Sequence, residues 1–214
     1  MCFNYKVSLF TFALGTFFSL LLIKHGNPAY ALDNKILGTF LIFIASIQFM
    51  DFLFWIDLKN TLGLNKLMTI LGPILNIGQP TILYLINAYY RKPAILRVQK
   101  LSVSGPIALL NLSYVLYFVS TYIKYLSTEK LVTGTEHKHL KWPWIKYQQP
   151  IYYLLLLAIN FFYIFPFSYA LLIFSITYFF LFLSHKYFYY NTGELWCFFG
   201  AFIPLIMYTL SLSI

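Results

Sequence analysis

The chain has 214 residues, of which 60% are hydrophobic, 21% aromatic and only 10% charged, with a formal net charge of +9. Soluble domains carry about 25% charged residues, so this composition, with a mean hydropathy of +0.73, excludes an ordinary soluble domain and indicates a polytopic membrane protein. The Lys and Arg side chains lie between apolar runs, where they anchor spans at anionic headgroups, so the expected partner is the lipid bilayer and not nucleic acid.

The first apolar run, residues 7–23, is bracketed by Lys6 and Lys24. Ala29-Tyr30-Ala31 has the small-x-small form of a signal-peptidase site, but the run exceeds the usual 7–15-residue apolar core of a signal peptide and is expected to be a retained span. Run two, residues 36–56, contains Gln48 and Asp51. An ionised carboxylate near the centre of a membrane helix costs about 2.5–3.5 kcal/mol on insertion scales, so Asp51 marks a functional site by default. Gln48, Asp51 and Trp55 share one helix face, which should look inward.

Run three, residues 67–90, is interrupted by Gly72-Pro73 and Gly78-Gln79-Pro80. Each proline removes a backbone donor and clashes one turn back, which predicts a kinked or broken helix. Such a break can line a cavity, with Gln79 at its edge. The link over 91–105, with Arg91, Lys92, Arg97 and Lys100 among aliphatic residues, reads as a basic amphipathic segment on the headgroup plane. Run four is 106–123, and the longest polar segment follows over 124–149. Its paired Trp142 and Trp144 suit a membrane interface. The apolar stretch 151–184 is too long for one span and is interrupted at Phe165-Pro166-Phe167-Ser168, which predicts a hairpin of spans 151–165 and 168–184. The last run is 195–214.

The expected fold is therefore an all-α, polytopic membrane helix bundle of seven transmembrane helices in a single domain. With seven spans, nine Lys/Arg fall on the face that carries the N-terminus and six on the other. That excess predicts a cytoplasmic N-terminus. The sequon Asn111-Leu112-Ser113 lies within a span and does not report orientation.

Met1-Cys2-Phe3 with Ser8, Gln48-x-x-Asp51 before Trp55, Gly72 followed by Gln79-Pro80, His139-Leu140-x-Trp142 and Gly193-x-x-Trp196-Cys197 are spaced along most of the chain. Together they resemble an uncharacterised family of multi-span membrane proteins from bacteria and large DNA viruses that opens with Met-Cys-Phe/Trp-Ser. Asn4 replaces the serine of that opening, and Asp51 stands where many relatives have glutamate. The resemblance implies a shared fold and site location. It brings no activity with it.

On the seven-span topology Cys2, Asp57, Glu136, His137, His139, His185, Glu194 and Cys197 fall on the N-terminal face, with Asp51 about 8 Å along the helix below it. This gathering predicts one pocket formed by Cys2, Asp51, His139, Glu194 and Cys197. Asp51, Cys2 and Glu194 are the candidate catalytic groups. Asp51 would serve as base and Cys2 as an N-terminal nucleophile once Met1 is removed, although a structural or acylated Cys2 is the plainer reading. Gln48, Trp55, Gln79 and Trp196 are candidate ligand contacts. His137, His139 and Cys197 are candidate ligands for zinc, against solvated interfacial residues as the alternative. No CxxC, HExxH, P-loop, GxGxxG or GxSxG occurs, which sets aside the enzyme classes those motifs define. Two readings remain: a membrane-embedded enzyme or binder of a lipid headgroup or small ligand, and a small-solute or proton-coupled transporter working through Asp51 and the broken third span.

Overall fold

The computed structural model describes residues 4–91, 101–136, 139–187, 196 and 198–212. Helix α1 (Tyr5–His25) starts on Asn4, whose side-chain oxygen accepts from the backbone N–H groups of Lys6 and Val7 at 2.9 and 3.0 Å. It is followed by α2 (Ala31–Ile56), α3 (Leu64–Ile77), α4 (Gln79–Arg91) and α5 (Leu101–Thr128). A short antiparallel hairpin, β1 (Gly134–Glu136) and β2 (His139–Lys141), precedes α6 (Pro150–Ile164), α7 (Phe167–Tyr187) and α8 (Ile203–Ser211).

All seven apolar runs are helical over much of their described length, but they do not all reach membrane length. By length and composition four helices do, at Tyr5–His25, Pro28–Ile56, Gly105–Thr128 and Phe167–Tyr187, or five if the bent pair α3/α4 is one span. The 15 residues of α6 rise only about 22 Å against a hydrocarbon core of about 30 Å. The apolar stretch Phe198–Ser211 is likewise short.

The core is built of large apolar side chains such as Leu37, Phe40, Phe54 and Phe161, but α1 meets α2 through small residues. On α1, Ser8, Thr11, Gly15 and Ser19 are buried, whereas Phe10, Phe17 and Leu20 are exposed. Small residues at an interface let backbones approach closely, the packing logic of helices in lipid. Accordingly α1 and α2 pack more extensively than any other pair of described elements. On α5, Leu109, Leu112, Leu116, Val119 and Ile123 form the corresponding outward stripe.

The third apolar run is broken as expected: α3 and α4 meet at Gly78 with a 68° bend. Pro73 deprives the Thr69 carbonyl of its intrahelical donor, and the Tyr125 hydroxyl of α5 donates to that carbonyl at 2.9 Å. Tyr122 and Tyr114 donate to the Ile70 and Ile77 carbonyls at 3.0 and 2.9 Å. Beyond the bend, the Pro80 carbonyl accepts from Asn160 Nδ2 at 2.8 Å. Asn160 is paired reciprocally with the buried Asn111 of the sequon. The broken helix is thus held by phenol and amide donors from α5 and α6, which satisfy backbone groups that lipid could not.

The α2–α3 turn is built on Asp57. Its carboxylate accepts from the backbone N–H groups of Leu62, Leu64 and Asn65 at 3.1, 2.9 and 3.3 Å and from the Thr61 hydroxyl at 3.2 Å. Burial acts to raise the Asp57 pKa, but the bonds from Leu62, Asn65, Thr61 and Leu64 together outweigh it and hold the carboxyl below its ordinary value of 3.8. A depressed carboxyl stabilises the fold above its unfolded pKa and loses that contribution as pH falls through the folded value. Asp57→Asn should therefore lower the unfolding temperature in detergent at pH 7, and the gap from wild type should close as pH is taken below 4. A gap that stays constant over that range would show that the charge on Asp57 plays no part in the turn.

Candidate functional site

The register of α1 against α2 assembles a buried polar cluster. A Cβ on Gly15 would lie 3.2 Å from Ala45 Cβ, and the Thr11 hydroxyl donates to Gln48 Oε1 at 2.9 Å. The helices are antiparallel, so one turn further along Ser8 comes level with Asp51. Ser8, Thr11, Gln48 and Asp51 are all at most 1% exposed. Among the described residues, Ser8 Oγ and Gln48 Nε2 have no hydrogen-bond partner. The Trp55 indole nitrogen, two turns beyond Gln48 on the same face, is also buried without one.

Asp51 bonds a side chain of the segment that also carries His139, the segment expected on its own face of the bundle. Its Oδ1 accepts from Trp142 Nε1 at 3.0 Å, and Trp142 belongs to the polar segment between α5 and α6. Trp142 and Trp144 do not sit at a lipid interface: they are 2% and 0% exposed, stacked on each other with ring centroids 5.3 Å apart. Trp144 lies beside Phe54 of α2 and against Gly72 of α3, where it occupies the space a side chain would need.

Polar bonds at its other end hold this segment in place. Asn65 Oδ1 and Nδ2 clamp the Thr133 backbone N–H and C=O at 2.7 and 2.8 Å, and the Thr133 and Thr69 hydroxyls meet at 2.8 Å. Glu129 pairs with Lys146 at 2.7 Å and accepts from the Tyr147 hydroxyl at 2.6 Å. The segment read as a polar link is in fact a strap that returns into the bundle and delivers an indole N–H to Asp51.

Two further candidate contacts meet at the helix break. Gln79 and Trp196 both line a narrow cavity of about 20 Å³ walled by Phe40, Phe161, Thr177 and Ile203, room for roughly one water molecule. The Tyr153 hydroxyl donates to Gln79 Oε1, Trp196 Nε1 donates to the Thr177 carbonyl at 3.1 Å, and the Tyr153 and Trp196 rings stand edge to face. Gln48 and Trp55 do not line this cavity, so the four candidate ligand contacts divide between two places.

His139 opens β2 opposite Glu136, at the same end of the bundle as Asp51. Cys2, His137, Glu194 and Cys197 lie outside the described residues. Among the described residues, no three His, Cys, Asp or Glu side chains gather closely enough to hold a metal ion.

The opposite end of the bundle is also tied together by buried and half-buried polar groups. Asp33 pairs with Arg91 at 2.7 Å, and Arg91 also donates to Asn87 Oδ1 and to the Ile164 carbonyl, each at 2.8 Å. This ties the start of α2 to the ends of α4 and α6. Beside it the buried Asn34 accepts from the Tyr169 hydroxyl at 2.8 Å and donates to the Asn27 carbonyl at 3.0 Å. Adjacent Asp33-Asn34 at a span's start was the available signal, but its partners are 58 and 135 residues away along the chain. Comparison with known protein families, curated proteins and solved structures gives no match.

Proposed function

We propose that the chain is a multi-pass integral membrane protein of seven membrane-embedded helical segments, with a site for a lipid headgroup or small polar ligand where α1, α2 and the Trp142 strap meet. The observation that carries this reading is the pair of buried polar groups, Ser8 Oγ and Gln48 Nε2, that have no partner among the described residues, in register with Asp51. Unsatisfied buried polar atoms are uncommon and costly, and a bound molecule offering hydrogen-bond acceptors would satisfy them. If that molecule is also transformed, Asp51 is the base, with Cys2 and Glu194 as the further catalytic groups. Membership of the family that opens with Met-Cys-Phe/Trp-Ser belongs to the same reading, as does a cytoplasmic N-terminus, supported by the excess of Lys and Arg on that face.

Native mass spectrometry of protein purified in mild detergent tests the site. A retained molecule in wild type, lost in a folded Gln48→Leu variant, is the expected result. Equal retention by both forms would remove Gln48 from any ligand site. Impermeant thiol labelling of single-cysteine variants tests the topology: Cys2 and Cys197 should label from the same side of the membrane, and labelling from opposite sides would eliminate the seven-segment arrangement.

The 68° break at Gly78 favours a second reading, a proton-coupled transporter, because broken helices frequently line transport pathways. Proteoliposomes loaded with a pH-sensitive dye separate the two. Proton flux abolished by Asp51→Asn would point to the transporter, and tight liposomes to the binder.

A further inference from the structure

A second cavity lies at the opposite end of the bundle from Asp51 and stands independently of the site above. It measures about 100 Å³ and is lined by Asn27, Tyr30, Ser168, Tyr169, Met207 and Ser211, together with a leucine. None of these residues carries a charge, and four features give the cavity a defined chemistry. The Tyr30 and Tyr169 rings stack with centroids 5.3 Å apart, and both line the cavity. Tyr169 is held in place by the bond from its hydroxyl to Asn34 Oδ1. Helix α8 ends at Ser211 on the cavity wall, so the negative end of its dipole is brought to the rim. Asp33, next to Asn34, places a carboxylate at this end of the bundle, where it is paired with Arg91 at 2.7 Å.

We propose that this cavity binds a compact methylated cation, the trimethylammonium group of free choline or of a choline-headed lipid. The stacked tyrosine pair on the cavity wall and a helix C-terminus favour positive charge. The lining offers no carboxylate of the kind that replaces the hydration shell of a metal ion. It also offers no Lys or Arg, so an anion has no counter-charge within the cavity. The volume corresponds to roughly three water molecules, a suitable size for a trimethylammonium group. Exposed Lys24, His25 and Lys35 belong to the same end of α1 and α2, where they suit the phosphate of a zwitterionic headgroup.

Calorimetric titration of the full chain in maltoside detergent compares choline with its neutral carbon isostere 3,3-dimethylbutanol. Native mass spectrometry in nanodiscs compares phosphatidylcholine with phosphatidylglycerol. The proposal expects choline, or phosphatidylcholine, to bind at least about tenfold tighter than its comparator. It also expects Tyr30→Leu and Tyr169→Leu each to weaken that binding about tenfold. Ser168 is exposed at this cavity, so Ser168→Phe should block binding even if the tyrosine variants fail to fold. Binding of choline alone identifies a free cation as the ligand, and binding of phosphatidylcholine alone identifies a lipid headgroup. Equal affinity for choline and its isostere, binding of neither choline nor phosphatidylcholine, or unchanged binding in Ser168→Phe would overturn the proposal.

Discussion

Gly72→Ala should destabilise the protein by about 1–3 kcal/mol, the usual cost of overpacking a filled interior, although it replaces a helical glycine with the best helix former. The added methyl would lie 2.3, 2.6 and 2.7 Å from Trp144 Cη2, Cζ2 and Cζ3. The indole cannot yield, because it is 0% exposed, is stacked on Trp142 and rests beside Phe54. The strain should propagate through Trp142 to its bond with Asp51. Unfolding in detergent followed by tryptophan fluorescence reads both effects, and shortening the ring in Gly72→Ala/Trp144→Leu should recover part of the loss. A Gly72→Ala protein as stable as wild type would mean that Trp144 is not seated against α3.

Asp51→Leu and Asp51→Asn should behave differently. Leucine removes the acceptor and leaves the buried Trp142 indole N–H without it, at a cost of about 1–3 kcal/mol. Asparagine keeps an acceptor oxygen of similar shape for the Trp142 indole, so its stability should stay within about 1 kcal/mol of wild type. Trp142→Phe combined with Asp51→Leu completes a double-mutant cycle in which the two losses should add to less than their sum. If Asn unfolds the protein while Leu does not, hydrogen bonding to Trp142 is not what Asp51 supplies.

Asp51 and the prolines of the third apolar run could be singled out from sequence because each violates a local rule: a carboxylate inside an apolar run, and imino acids inside a helical one. Violations of that kind need no partner to be visible. The break at Gly78 and the burial of Gln48 and Asp51 both follow from them. Trp142 and Trp144 were misread for the converse reason. A tryptophan beside lysines has the same local signature at a headgroup boundary as on a strap that turns back into protein, and the difference lies in Gly72, more than 70 residues earlier.

Composition and the spacing of apolar runs were enough to define helices and their approximate ends, and four or five of these helices reach the length and apolarity that crossing a membrane demands. Which side chains meet was settled by antiparallel register and by long-range hydrogen bonds. Ser8 comes level with Asp51 because Gly15 lets α1 close on Ala45. The Trp142 strap reaches Asp51 because Asn65 clamps Thr133, and the Tyr30–Tyr169 cavity exists because Asn34 links α2 to α7. Each of these pairings is one choice among many that the same apolar pattern permits, and close packing with long-range hydrogen bonds selects it only when all the helices are in place.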